Sequence, residues 1–235
     1  MSIPTTKKKM TMMIKRILFF LTFIIFISFS GFSQKTDFGV WYNISIKHEL
    51  TKKLGVELSP VLRTFDNASK IEETFLEGEL SYDLTKFLSL AGSYRITSNI
   101  EDDDKYHLRH KWYAGIKGTF DFWRIDFSGR VRFERRYKTY FEDEDDRIPS
   151  SHLRFKATAE LKTPSFPLNP YISGELFFPV NKEPEDLIDK KRFAAGVEYK
   201  ISKKHAIDLE YIYQRDYHPK LRYEHIISLT YDFKF

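Results

Sequence analysis

Apolar and polar residues alternate along most of the chain with a period of two. From residue 223 to residue 235, one set of positions holds Tyr, His, Ile, Leu, Tyr, Phe and Phe, while the intervening set is nearly all polar. The same alternation is clear over 37–50 and 124–137. A period of two is that of an extended strand whose two faces meet different environments. The pattern therefore predicts strands, each with one apolar face.

Eleven alternating runs are predicted as strands, and none shows a sustained helical period. They lie at about 37–50, 54–65, 72–84, 87–98, 106–120, 124–137, 151–162, 169–178, 191–201, 205–217 and 223–235. Strands of soluble domains are usually about 5 to 6 residues long, and these runs are clearly longer. Short polar turns such as 51–53 and 202–204 alternate with longer acidic loops such as 101–104 and 142–146.

Long strands, strict alternation and unequal connections match an all-β, antiparallel transmembrane β-barrel, because only a closed barrel leaves no unpaired strand edge in lipid. Single-chain bacterial barrels have an even number of strands. Eleven runs therefore favour 10 strands, if one run lies outside the wall, or 12, if 34–50 forms two strands. A soluble periplasmic β-barrel or sandwich that binds a ligand is the alternative. It would turn the apolar face inward and leave the charged face unpaired.

The start of the chain has the three parts of a secretory signal peptide. Five basic residues precede an uncharged, mainly apolar run at 17–29, and the small residues Gly31 and Ser33 follow it. A run of 13 residues is shorter than the roughly 20 needed to span a bilayer as a helix. We therefore expect a cleavable signal peptide at 1–33, a barrel domain at 34–235, and a location in the bacterial outer membrane.

Removing the signal peptide changes the charge balance. Five of the 38 basic residues and none of the 33 acidic residues lie in 1–33, so the remainder carries 33 of each and no net charge. This removes the support for a nucleic-acid partner. The chain has no cysteine, and its acidic loops do not match the calcium-loop pattern. We predict no disulfide, metal site or cofactor.

Four stretches resemble a known family. They are "DFGVWYNISIKHELTKKLGVELSPVLRTF", "LSYDLTKFLSLAGSYR" with "HLRHKWYAGI", and "ISKKHAIDLEYIYQRDY". They are similar to a family of outer-membrane β-barrels of Gram-negative bacteria that is catalogued as a domain of unknown function. The resemblance covers nearly all of the chain after the signal peptide. It implies the fold and the outer-membrane location, and it implies no catalytic residue.

If the apolar face meets lipid, the polar face lines the lumen, and its charges are grouped by strand. A basic wall is predicted over three consecutive strands, from Arg109, Lys111, Arg130, Arg132, Arg136, Arg154 and Lys156. An acidic wall is predicted over the other strands, from Glu57, Glu77, Glu79, Asp83, Glu175, Glu198, Asp208, Glu210, Glu224 and Asp232. The walls could leave a narrow passive pore for small polar solutes, with a preference for anions. They could instead pair across the interior and fill it, which would make the barrel structural.

An enzyme of the barrel class is the rival function. Ser151 and His152 lie beside an acidic run and suggest a hydrolase that acts on lipid or peptide at the external rim. Neighbouring residues of a strand point to opposite faces, however, so this pair is poorly placed for catalysis. We predict no catalytic residue.

The last strand ends in alternating aromatic residues. Tyr231, Phe233 and Phe235 resemble the sorting signal that the barrel-assembly machinery reads in outer-membrane barrels. We therefore expect that machinery to be a partner during insertion, and outer-membrane lipid to be the partner afterwards.

Overall fold

The structure is a computed structural model that describes residues 36–235 except 102, 142–143, 165, 181–186 and 218–220. For residues 145 and 146 it describes the backbone only. The signal peptide expected at 1–33 lies outside the described residues. No helix in the described part of the chain has the length and apolarity needed to cross a membrane.

The described residues form eleven strands and one short 3₁₀ turn at Glu144–Arg147. The strands are β1 (Thr36–Glu49), β2 (Leu54–Phe65), β3 (Lys70–Asp83), β4 (Leu88–Ile100), β5 (Tyr106–Phe122), β6 (Ile125–Lys138), β7 (Ser150–Leu161), β8 (Leu168–Pro179), β9 (Lys190–Lys200), β10 (His205–Asp216) and β11 (Arg222–Lys234). Each of the eleven predicted runs corresponds to one strand of the structure. The all-β prediction is confirmed.

The strands close into a barrel in sequence order. Each strand pairs antiparallel with the next one along the chain. Closure joins β1 to β11. Across this junction, the seam, Arg222 donates a hydrogen bond to Asp37, Asn43 donates one to Ser228, and Lys234 donates one to Glu49. The residue numbers of the bonded partners increase in the same direction along both strands, so the two strands are parallel at this seam.

The parallel seam corrects the expectation of 10 or 12 strands. In the described residues the barrel has eleven. When an odd number of strands pair antiparallel in turn, the first and last run in the same direction. A parallel ladder can still pair their backbone groups, so the barrel closes without an unpaired edge.

The two faces of the barrel wall are inverted relative to those of a soluble protein. Outward-facing apolar side chains are largely exposed, as for Leu80 at 52 % and Ile172 at 64 %. Inward-facing positions hold buried polar groups such as Ser45, Glu134 and Glu175. The predicted direction of the apolar face is therefore the one found.

The two ends of the barrel carry different connections. The turn end has connections at 50–53, 84–87, 123–124, 162–167 and 201–204. The loop end has connections at 66–69, 101–105, 139–149, 180–189 and 217–221. Two of these, 139–149 and 180–189, account for most of the predicted asymmetry, since the other three are hardly longer than the turns at the opposite end.

Candidate functional site: the barrel interior

All seven basic candidates lie at inward-facing positions of β5, β6 and β7. Arg109 donates to Glu101 at 2.6 Å, Arg132 donates to Glu79 at 3.1 Å, and Arg136 donates to Ser150 at 3.1 Å. The others are Lys111, Arg130, Arg154 and Lys156. They are accordingly in position to line a lumen. Whether they attract anions stays a prediction.

The sequence reasoning missed further inward-facing arginines, and three of them lie against aromatic rings of the interior. These three are Arg63 on β2, Arg95 on β4 and Arg192 on β9. Each shares the parity of the polar set on its own strand, so the alternation alone could have found them. They lie outside the three consecutive strands, rich in basic residues, that defined the predicted basic wall.

These arginines alternate with aromatic rings around the interior. The guanidinium carbon of Arg63 lies 3.9 Å from the ring centre of Trp41 and 4.9 Å from that of Phe75. The guanidinium carbon of Arg95 lies 3.6 Å from the Phe75 ring and 5.3 Å from the Tyr113 ring. Cations over ring faces are attracted by the ring quadrupole, most strongly where water is excluded.

The series continues around the barrel and returns to Trp41, with one break where Arg132 and Arg154 are neighbours in register. Arg154 stacks on Phe177 at 4.4 Å, and Arg192 lies between Phe177 and Trp41 at 5.3 and 5.1 Å. We call this set the arginine–aromatic belt. Its members are Trp41, Arg63, Phe75, Arg95, Tyr113, Arg132, Arg154, Phe177 and Arg192.

Glutamates neutralise the belt from within. Glu175 is 4 % exposed and lies 2.8 Å from Arg154, 3.4 Å from Arg130 and 3.6 Å from Arg192. Glu134 accepts a second hydrogen bond from Arg154 at 2.8 Å. Buried charges are tolerated when they are paired and hydrogen-bonded in this way. The belt is therefore a dense layer of ion pairs and rings.

Charge in the interior is sorted along the barrel axis as well as by strand. The belt and most inward arginines lie in the half nearer the loop end. Acidic side chains dominate between the belt and the turn end, namely Glu57, Glu79, Glu198, Asp208, Glu210 and Asp232. Arginine is thus concentrated in the loop-end half, whereas acidic side chains occur in both halves, since Glu134, Glu175 and Glu224 lie in the loop-end half.

Two of the six acidic groups of the turn-end half accept hydrogen bonds from hydroxyl groups, and three others pair with lysine or arginine. Tyr171 donates to Asp208 at 2.8 Å, while Ser45 and Ser59 donate to Glu57 at 2.7 and 2.9 Å. Hydroxyl donors hold these carboxylates in place without cancelling their charge.

Ionised groups also mark the two rims. At the loop end, a hydrogen bond with His107 lowers the pKa of Asp103. At the turn end, a hydrogen bond to Asp126 raises the pKa of Lys162. Both shifts favour the charged form of the titrating group.

The structure does not bring the hydrolase candidates together. His152 faces inward, where its Nε2 atom lies 2.7 Å from Asp189. Ser151 has the opposite parity and pairs in register with the outward-facing Arg135. In the described residues, no group of three His, Asp or Glu side chains is arranged to hold a metal ion.

The three terminal aromatic candidates lie on the outer face of the seam. The Phe235 ring stacks on His48 with centres 4.5 Å apart, and the Phe235 amide donates to the Lys47 carbonyl at 3.1 Å. Phe233 stacks on Phe235 at 5.7 Å, and the Tyr231 hydroxyl lies 2.7 Å from Nδ1 of His205. These contacts give the residues a place in the closed wall. Their role as an assembly signal stays a prediction.

Comparison with known proteins agrees with this fold. A NanC porin matches with a TM-score of 0.56 and 14 % identity, over 85 % of this chain and 99 % of the porin. The β domain of the Bordetella autotransporter BrkA matches with a TM-score of 0.47 and 11 % identity, over 77 % and 79 %. An anion-selective porin from Comamonas acidovorans matches with a TM-score of 0.37 and 11 % identity, over 74 % and 55 %.

No curated protein sequence matches the chain. A family model does match, over residues 38–224, which is most of the barrel. The chain belongs to the family described as "Protein of unknown function (DUF2490)".

Proposed function

We propose that the protein is an outer-membrane β-barrel that forms a narrow passive pore for small polar solutes. The observation that carries the proposal is the inversion of the wall, with exposed apolar side chains outside and ionised side chains inside. In water, each outward Leu, Ile or Phe would forgo about 25 cal/mol for every Å² of apolar surface left unburied. In a bilayer the same surface is solvated by lipid.

The fold and its ends support an orientation. Outer-membrane barrels have short periplasmic turns and longer external loops, so the turn end would face the periplasm and the loop end the outside. Export by the signal peptide at 1–33 is part of this proposal. The likeness of the fold to a NanC porin supports a barrel of this general kind.

Arg136 near the loop end supports a preference for anions at the external entrance, because it donates to Ser150, whereas the belt arginines are paired with glutamates. A solute entering from the loop end would meet the inward arginines before the acidic half. Rows of Arg and Lys raise the local concentration of anions. The basic wall predicted from the sequence would then act together with Arg63, Arg95 and Arg192.

A closed, structural barrel is the second candidate, and one contact favours it. Arg132 on β6 donates to Glu79 on β3 at 3.1 Å, so side chains of strands three apart meet inside the barrel. In a narrow barrel, such pairs can occupy much of the interior.

Envelope fractionation tests the location. We expect the protein in the outer-membrane fraction, with a gel mobility that changes on boiling because a folded barrel resists detergent. A protein recovered from the soluble periplasm, with one mobility before and after boiling, would contradict the membrane barrel.

Planar-bilayer recording tests the pore. We expect small single-channel steps from the folded wild type, and larger steps from the Arg132→Gln/Glu79→Gln double variant, which lacks the contact across the interior. Glu49→Gln at the exposed turn end serves as the matched control and should conduct like the wild type. Folded protein without steps in any variant would refute the pore and favour the structural barrel.

A further inference from the structure

Charged side chains are nearly absent from the outer face of the wall. Among the described outward-facing strand positions, the charged residues are Arg135, Lys191 and Arg215, and all three are basic. Arg135 lies three residues from the end of β6, Lys191 is the second residue of β9, and Arg215 is the next-to-last residue of β10. All three therefore lie near the loop end, at the expected depth of lipid headgroups.

Two of these cations are direct neighbours. Lys191 and Arg215 lie opposite each other in the register of β9 and β10. Like charges at facing positions repel and destabilise a sheet. Within the part of the chain that the structure describes, neither side chain makes an ion pair, and Nε of Arg215 is buried without a hydrogen-bond partner. The pair therefore has unused donors and an unbalanced charge.

Tyrosine rings hold the pair in place. The guanidinium carbon of Arg215 lies 4.6 Å from the ring centre of Tyr217 and 5.2 Å from that of Tyr223. Nζ of Lys191 lies 5.1 Å from the Tyr217 ring centre. Tyrosine is favoured where a membrane meets water, because its ring is apolar and its hydroxyl is polar. The rings can orient both cations without neutralising them.

The chemistry that completes this cluster is a phosphate. Arginine binds phosphate through two parallel hydrogen bonds, and lysine adds a point charge. Because the cluster lies on the outer face of the wall, a phosphate attached to a lipid fits it better than a free ion. Anionic headgroups attract basic residues near a membrane surface by about 1 kcal/mol per residue.

We propose that Lys191 and Arg215, framed by Tyr217 and Tyr223, bind a phosphate group of a membrane lipid in the leaflet at the loop end, for which lipid A serves as the probe. The site depends on the membrane location and orientation proposed above. It does not depend on a conducting pore.

Native mass spectrometry of the full folded barrel in detergent tests the site, with lipid A and dephosphorylated lipid A as probes. We expect the wild type to retain lipid A and to lose the dephosphorylated form. Lys191→Gln/Arg215→Gln should weaken lipid A binding at least about tenfold, because charge-assisted hydrogen bonds are lost. Lys203→Gln, which removes one positive charge at the turn end, is the control and should bind like the wild type.

Heat-modifiable mobility of each variant shows that it is folded before binding is measured. Equal retention of lipid A by the wild type and the folded double variant would overturn the site, as would equal retention of both probes by the wild type. Full displacement of lipid A by millimolar inorganic phosphate would also overturn it, because the site would then recognise a free anion. These outcomes are distinct from failure of the proposed location, which appears in the fractionation.

Discussion

Glu175→Gln is expected to lower the free energy of unfolding of the barrel by about 3–5 kcal/mol, the usual cost of removing one partner from a buried ion pair. Glu175 is almost fully buried and lies within 3.6 Å of Arg154, Arg130 and Arg192. Glutamine keeps the shape of the side chain but carries no charge. Three guanidinium groups would then share a layer that has lost its central anion.

Urea titration of the folded protein in lipid vesicles measures this loss, with the heat-modifiable gel band as the signal of the folded state. Glu49→Gln is the matched control, because Glu49 makes an exposed pair with Lys234 at 2.9 Å. An exposed pair of this kind contributes little to stability because water screens it. If both variants unfolded at the same urea concentration as the wild type, the belt would not be held together by Glu175.

Most of the fold could be predicted from the sequence, because the two faces of each barrel strand differ in polarity and this difference appears as alternation within the strand itself. On β1, Phe38, Tyr42 and Ile44 alternate with polar residues, and they are the ones exposed outside. Apolar side chains on the outer face and polar ones on the inner face make the period of two strong over the whole strand. No long-range information is needed to detect it, so the strand limits were predicted closely.

The closure of the barrel could not be read in the same way. The sequence count of eleven runs was correct, and the general expectation of an even number was wrong for this chain. Whether β1 meets β11 depends on residues far apart in sequence. No short turn connects the two strands of a parallel seam, so the sequence carries no local signal for their pairing, unlike that of an antiparallel hairpin.

The interior was predicted in part. The inward parity of Arg132 and Arg154 followed from alternation, but the positions of the charges along the barrel axis depend on strand register. The inward Trp41 and Phe75 break the polar pattern of their strands. Their position is explained by the arginines of other strands that stack on them. Alternation along a single strand does not reveal such contacts.

Disulfide cross-linking is expected to report the parallel seam directly, because the natural chain has no cysteine. Asn43 donates to Thr230 at 3.2 Å through two short side chains. Asn43→Cys/Thr230→Cys should therefore cross-link almost completely under mild oxidation. In a parallel seam the next inward pair moves in the same direction on both strands, so Ser45→Cys/Asp232→Cys should cross-link as well.

The control uses the pair that an antiparallel seam would bring together. If Asn43 and Thr230 were opposite each other in an antiparallel ladder, Ser45 would face Ser228. In a parallel ladder Ser228 lies four residues from the partner of Ser45, about 13 Å along the strand, which is beyond the roughly 7 Å that a disulfide can bridge between Cα atoms. Ser45→Cys/Ser228→Cys should therefore stay reduced in the folded, heat-modifiable fraction. Cross-linking of this pair in place of Ser45→Cys/Asp232→Cys would indicate antiparallel closure, and with it an even number of strands.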